Sequence, residues 1–132
     1  MLYYNGNLGV FRFIKSGSTY GYNIGLKGTL QVSAGVYSIH YDNGDIETFN
    51  TSNNKISKLE DRNGNNLTFT YTSDLLTTVT DTLGRNVTYT YYSHNRLKDV
   101  TAYDGKKVEF TYFTANTSTG SLYDLQQVKI NN

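Results

Sequence analysis

The chain contains no cysteine, no proline and no tryptophan, and a single methionine. Without thiols, neither a disulfide framework nor a thiolate metal site is available. Without proline, every residue keeps its backbone N–H, so none is barred from a central strand. An excess of one charge is also missing, because 12 Lys and Arg face 11 Asp and Glu, a formal net charge of +1. The basic residues are scattered, with Lys106–Lys107 the only adjacent pair. Tracking phosphates needs clustered positive charge, so nucleic acid is not an expected partner. No apolar run approaches the roughly 20 residues of a membrane helix, so no membrane span is expected. The opening "MLYYNGNLGVFRF" has no basic stretch leading into an apolar one, so no signal peptide is expected in this chain.

What is abundant points to sheet. Thirteen Tyr and eighteen Thr dominate the 132 residues, and both fit a pleated, half-buried strand surface. The order of these residues repeats. "DRNGNNLTFTY" at 61–71 returns as "DTLGRNVTYTY" at 81–91 and again as "AYDGKKVEFTY" at 102–112. Gly44, Gly64, Gly84 and Gly105 set the interval, at spacings of 20, 20 and 21 residues. Phe49, Phe69, Tyr89 and Phe110 keep step with them, as do Tyr71, Tyr91 and Tyr112. So do Ile56, Leu76 and Leu97, each followed three residues on by Leu59, Val79 and Val100. A looser copy follows the insertion "TANTSTGS", where Leu125 and Val128 restore the step. Self-similarity at a fixed period marks a repeat architecture.

Within a unit, "NVTYTY" places Val87, Tyr89 and Tyr91 on one face and Thr88 and Thr90 on the other. "LTFTY" and "KVEFTY" alternate in the same way. The Asn, Asp and Gly clusters between them supply the positive φ of tight turns. The expected fold is all-β, an antiparallel meander of two-strand repeats of about 20 residues that forms a curled sheet or partial shell. The expected division is an irregular β-rich segment at 1–36 and a repeat region at 37–132. The repeat units fall around 44–63, 64–83, 84–104 and 105–130. Strand-like runs in the first segment are "LGVFRFI", "TYGYNIGL" and "TLQVSAGVYSIHY", the last running on past residue 36. No capped segment with apolar spacing of 3.6 argues for a helix. The Leu-x-x-Val step conflicts with a regular strand, where i and i+3 face opposite ways. Either a bulge re-phases the strand or both of its faces are covered.

The pattern Gly-x-x-[Val/Leu]-x-[Phe/Tyr]-Thr-Tyr, then Leu-x-x-Val-Thr-Asp, resembles the RHS or YD-repeat family. The namesake pair stands at Tyr41-Asp42 and Tyr103-Asp104. The resemblance spans about residues 37 to 112, loosens to 130 and is weak before 37. It implies a β-strip that spirals into a hollow shell, which encloses a toxic polypeptide in bacterial systems. Related repeats occur in large animal cell-surface proteins. The implied role is a structural segment of such a shell, secreted or at the cell surface as part of a larger protein. Its implied partners are further RHS repeats or an enclosed polypeptide. Some bacterial members carry a self-cleaving core with an Asp-Pro-containing motif. This chain has no proline, so no catalytic residue carries over and no enzyme is expected.

Other chemistry is sparse. His40 and His94 are the only histidines, and no Gly-x-Ser-x-Gly elbow accompanies them. Nothing in the sequence brings a serine together with a carboxylate to either one, so both read as structural. Asp61, Asn63 and Asn65 have the spacing of a calcium loop's start. Asn66 then stands where that loop needs glycine, and Thr72 where it needs glutamate. They read as turn formers, and neither a metal nor a cofactor is expected. Sequons begin at Asn50, Asn66, Asn86 and Asn116 and carry little weight in a chain this rich in Asn and Thr. The aromatic columns read as a ladder between repeats. The rival reading is a carbohydrate-binding or adhesion module, which needs an aromatic row facing solvent. An outer-membrane barrel needs strands of about 9–11 residues, longer than the clear strands here. A single sheet also leaves one apolar face and two edges unprotected, so self-association through edges or aromatic face is expected.

Overall fold

Period-two Thr/Tyr runs separated by turn residues fold as short strands joined by hairpins. A computed structural model describes residues 2–4, 10–17 and 19–131. The first strands are β1 (Leu2–Tyr4), β2 (Val10–Arg12), β3 (Lys15–Ser16), β4 (Thr19–Tyr20) and β5 (Tyr22–Asn23). Next come β6 (Gly28–Ser33), β7 (Val36–Tyr41), β8 (Ile46–Asn50), β9 (Ile56–Glu60) and β10 (Asn66–Thr72). The last are β11 (Leu75–Asp81), β12 (Asn86–Tyr91), β13 (Leu97–Thr101), β14 (Lys107–Tyr112) and β15 (Leu125–Asn131). Strands β5 to β15 follow one another in a single eleven-stranded antiparallel sheet whose linear order does not close into a barrel. β1 pairs with β2 and β3 with β4 in two separate hairpins. Residues 8 and 9 of the expected run "LGVFRFI" lie outside the described residues. No α-helix occurs among the described residues, and the one 3-10 turn is Ser93–Asn95.

The glycine column makes one turn four times. Gly44, Gly64, Gly84 and Gly105 have φ of 91°, 84°, 77° and 84°, a region that a side chain would strain. In each turn the glycine N–H donates to the carbonyl three residues back, at Tyr41, Asp61, Asp81 and Ala102. The N–H of that earlier residue donates to the carbonyl just after the glycine, at Asp45, Asn65, Arg85 and Lys106. This is a type I turn closed by a left-handed residue, the usual three-residue hairpin loop.

The Leu-x-x-Val conflict is resolved by a bulge. Thr90 pairs with Asp99 but Tyr91 pairs with Leu97, so Lys98 is an extra residue. Ser57 is extra between Thr48↔Lys58 and Phe49↔Ile56, and Gln126 between Thr111↔Gln127 and Tyr112↔Leu125. One inserted residue turns an odd step into a same-face step, so Leu97 and Val100 share a face. The register also refines one column. Phe49 opposes Ile56 as Tyr91 opposes Leu97 and Tyr112 opposes Leu125. It therefore occupies the second aromatic position, two residues early, and the even offset leaves its face unchanged.

A hydroxyl explains why that second column otherwise holds tyrosine. Tyr91 donates its O–H to the Leu76 carbonyl at 2.8 Å, and Tyr112 donates to the Leu97 carbonyl at 2.9 Å. In the second case the acceptor lies beside the bulged residue, and the donor comes from the next repeat.

The chain divides into two compact units, Met1–Thr68 and Phe69–Asn132. In the first, Leu30, Ile39, Glu47, Leu59 and Leu67 are register partners and line one face of β6–β10. Phe13 packs there with Leu30 and Ile39, and all three are buried. Tyr3, Tyr20, Leu26, Tyr37, Tyr41 and Phe49 surround them. The N-terminal segment thus covers this part of the sheet.

Candidate functional site

The second unit presents the repeat surface without such a cover. Register places Val79 with Val87, Tyr89 with Val100 and Val108, and Tyr91 with Leu97. It continues through Val108↔Ile130, Phe110↔Val128 and Tyr112↔Leu125. Tyr89 and Phe110 accordingly share one face. Most of these side chains are half-buried, but on the outer strand β15 Leu125, Val128 and Ile130 are exposed at 53%, 47% and 71%. No hydrophobic residue of this unit is fully buried among the described residues.

The opposite face is a ladder of Thr and charge. Thr88, Thr101, Lys107 and Asn131 form one row, and Thr90, Asp99, Glu109 and Lys129 the next. Asp99 is buried at 5% and takes an ion pair from Lys107 at 3.5 Å. Lys107 also reaches Glu109 at 3.1 Å, and Asn131 donates to Glu109 at 2.6 Å. The Lys107 contact holds the Glu109 carboxyl below the usual carboxylate range, and Glu109 in turn raises the Lys107 ammonium.

The residues weighed from sequence fall as follows. Asp61 spends its carboxylate oxygens inside the turn, on the N–H groups of Asn63 and Asn65 and the Asn65 amide. The Asn65 amide is the main reason its carboxyl is held low. Asp81 repeats the arrangement with Leu83, Arg85 and the Arg85 guanidinium, which lowers it likewise. His40 stands beside a serine on β7. The Ser38 hydroxyl lies 3.0 Å from its Nε2, because i and i+2 on β7 share a face. No carboxylate bonds to that imidazole among the described residues. Of the sequon residues, Asn50 bonds Ser52, Asn86 accepts from Thr80 and Asn116 accepts from Leu122 N–H. Asn66 opens β10.

One cluster was not anticipated. His94, at φ 62° in the hairpin turn, stacks on Tyr123 with centroids 5.4 Å apart. The Arg96 guanidinium lies 3.9 Å from the Tyr123 centroid and 5.3 Å from that of Tyr112. Tyr92 meets Tyr112 edge-on at 6.2 Å, with the Lys98 ammonium 5.8 Å above the Tyr92 ring. Tyr123 enters from the insertion, where Phe113 N–H donates to Asp124 and Tyr123 N–H to Phe113. Sequence offered only a faint signal: an Arg just beyond the "SHN" turn, flanked by Tyr and Lys.

Among the described residues no group of three His, Asp or Glu side chains is arranged to hold a metal ion. None of their helices is long and apolar enough to cross a membrane. No family model matches the chain, and no curated protein matches it.

Proposed function

We propose that the chain is a structural RHS or YD-repeat segment, part of a β-shell that encloses or presents another polypeptide. In this reading the shell belongs to a secreted or cell-surface protein and does no catalysis itself. The observation that carries it is the repetition of one three-part joint. A glycine turn recurs four times at the sequence period, joined by a one-residue bulge at Ser57, Lys98 and Gln126 and by a tyrosine hydroxyl on the neighbouring strand's carbonyl at Tyr91 and Tyr112. Such a joint lets each hairpin dock on the one before it, which is how repeat proteins extend in one dimension. The apolar row on β15 supports the same reading. Leu125 and Val128 sit as Leu97 and Val100 do, but among the described residues no further strand pairs beyond them. The natural partner of that edge is another repeat or the enclosed chain.

Light scattering over a concentration series tests the reading. The chain should self-associate at about tens of micromolar, where exposed apolar surface and unpaired edges drive assembly. Leu125→Lys with Ile130→Lys should return it to a monomer, because inward-facing charge blocks an edge. A wild-type chain that stays monomeric throughout would overturn the proposal that this edge receives further β-structure.

A further inference from the structure

The hairpin that carries β14 fixes which backbone groups β15 turns outward. The Ala102 N–H donates to the Lys106 carbonyl, so Val108 and Phe110, at even steps from Lys106, turn their backbone groups toward β13. Lys107, Glu109 and Thr111 turn theirs toward β15, onto Asn131, Lys129 and Gln127. Val128 and Ile130 therefore aim their N–H and C=O at the edge, where no strand pairs among the described residues. The same strand leaves the side chains of Leu125, Val128 and Ile130 exposed. An edge that is both unpaired and apolar is a template for another strand. The strand at the other end of the sheet order, β5, spans only Tyr22–Asn23 and offers no comparable ladder.

We propose that a second copy of the chain closes this edge, β15 against β15, about a two-fold axis through Val128. This rests on the reading of β15 as an edge that receives further β-structure, and it names what the edge receives. A two-fold axis normal to the sheet makes the new pair antiparallel, like β13 with β14 and β14 with β15, and keeps both apolar faces on one side. Val128 then bonds its own counterpart through both outward groups, and Gln127 faces Lys129 on the polar side. Gln126 is the extra residue of the bulge, so Leu125 comes opposite Ile130 on the apolar side. The competing register, with the axis at Lys129, would set Lys129 against Lys129 in a pair whose Cα atoms are only about 4.5 Å apart. That like-charge contact selects the Val128 axis. Seven residues a side is fewer than the roughly 20–30 of a standard interface, so a dimer in the range of about tens of micromolar is expected.

Cysteine trapping tests the seam, since the chain has no thiol of its own. Val128→Cys, treated with oxidised glutathione, should link to itself, because the expected Cα separation of about 5.5 Å lies within disulfide range. Ile24→Cys, at an apolar residue exposed by 85% beside β5, is the collisional control and should link about tenfold more slowly or not at all. In an equimolar mixture with Ile130→Cys, intact mass should show Val128→Cys linked only to itself. The Lys129 axis would bring Val128 to Ile130 instead, so mixed links would overturn the register. In the wild-type chain, amide exchange at Val128 and Ile130 should slow with concentration while Tyr22 does not change. Scattering should level off at two chains, and continued growth would overturn the closed pair. Protected amides with Val128→Cys linking no faster than Ile24→Cys would overturn the two-fold seam and leave the edge reading standing. Unprotected amides at every concentration would overturn both.

Discussion

The two units use the same strand chemistry with opposite outcomes. In Met1–Thr68 the apolar face of the sheet is roofed, and Phe13, Leu30 and Ile39 are exposed by no more than 2%. In Phe69–Asn132 the equivalent face stays half-open, and among the described residues the only buried one is the charged Asp99, on the other side of the sheet. The roof in the first unit is held by polar ties as well as packing. Tyr3 donates to Glu47 at 2.6 Å, and its ring packs edge-on against Phe49 at 5.8 Å. Glu47 occupies a position in the apolar row only because that phenol reaches it. Alternation of Thr with aromatics therefore makes a sheet, but it does not settle what covers the sheet.

Removing the roof should give the largest effect. Phe13→Ala deletes a fully buried ring and should cost about 3–5 kcal/mol. Hydrogen exchange should show the loss in β6 and β7 amides while β12 and β13 keep their protection. A uniform loss along the chain would mean the comparison is false and the units unfold as one. Tyr89→Ala is the counterpart in the open unit. Full burial of its ring would predict the same 3–5 kcal/mol, but the ring is half-buried, so about 1.5–2.5 kcal/mol is expected in a urea melt.

A finer contrast lies within the repeat. Tyr91→Phe removes the hydroxyl that satisfies the Leu76 carbonyl and should cost about 0.5–1.5 kcal/mol. Tyr89→Phe should stay within about 0.5 kcal/mol, as its column already alternates Phe and Tyr. Equal costs would show that the brace contributes nothing.

The smallest effect is one of pH. It contrasts the Tyr3, Tyr41 and Glu47 group of the first unit with the ion-paired carboxylates of the second, although Asp61 in the first is also lowered and Tyr71 and Tyr91 in the second are also raised. Burial pushes the Tyr41 phenol from 10.0 up to about 12 and raises Tyr3 further, with the Glu47 carboxylate adding to both. Folded-state values above the unfolded ones mean that this stability is complete below pH 10 and lost as pH rises through about 12. Asp81, Asp104 and Glu109 in the second unit are shifted down, chiefly by Arg85, Lys106 and Lys107. Their contribution is present above the ordinary carboxylate range and lost as pH falls below it. Ring-proton shifts of the first unit should therefore report alkaline loosening, and amide shifts of the second unit acid loosening. The reverse order would contradict the tie between Tyr3 and Glu47.

The repeat, its glycine turns and the sharing of a face by Tyr89 and Phe110 were legible in the sequence because they are local and periodic. The Leu-x-x-Val step was visible as a conflict. Its answer was not, since a bulge is defined by the partner strand and Lys98 looks ordinary by itself. The roof could not be read either. Phe13 sits in an aperiodic stretch, and its contacts with Leu30 and Ile39 span 17 and 26 residues by number. The Arg96 cluster was hidden for a similar reason. Tyr123 comes from the insertion, where repeat register no longer says which residue lies where.

The two kinds of loop carry a consequence for how such a chain can change. The glycine turns are identical four times over, while the loops at the other strand ends span 51–55, 73–74, 92–96 and 113–124. A strand arm that grows or shrinks by two residues, as at Phe49, keeps every side chain on its face, whereas a change of one inverts them. Lengthening is thus quantised in the strands and unrestricted at one set of tips. The glycine turns behave as a selvedge, fixed because every row of the weave starts there. The other tips are a fringe, free to acquire residues such as Tyr123 without disturbing a single rung.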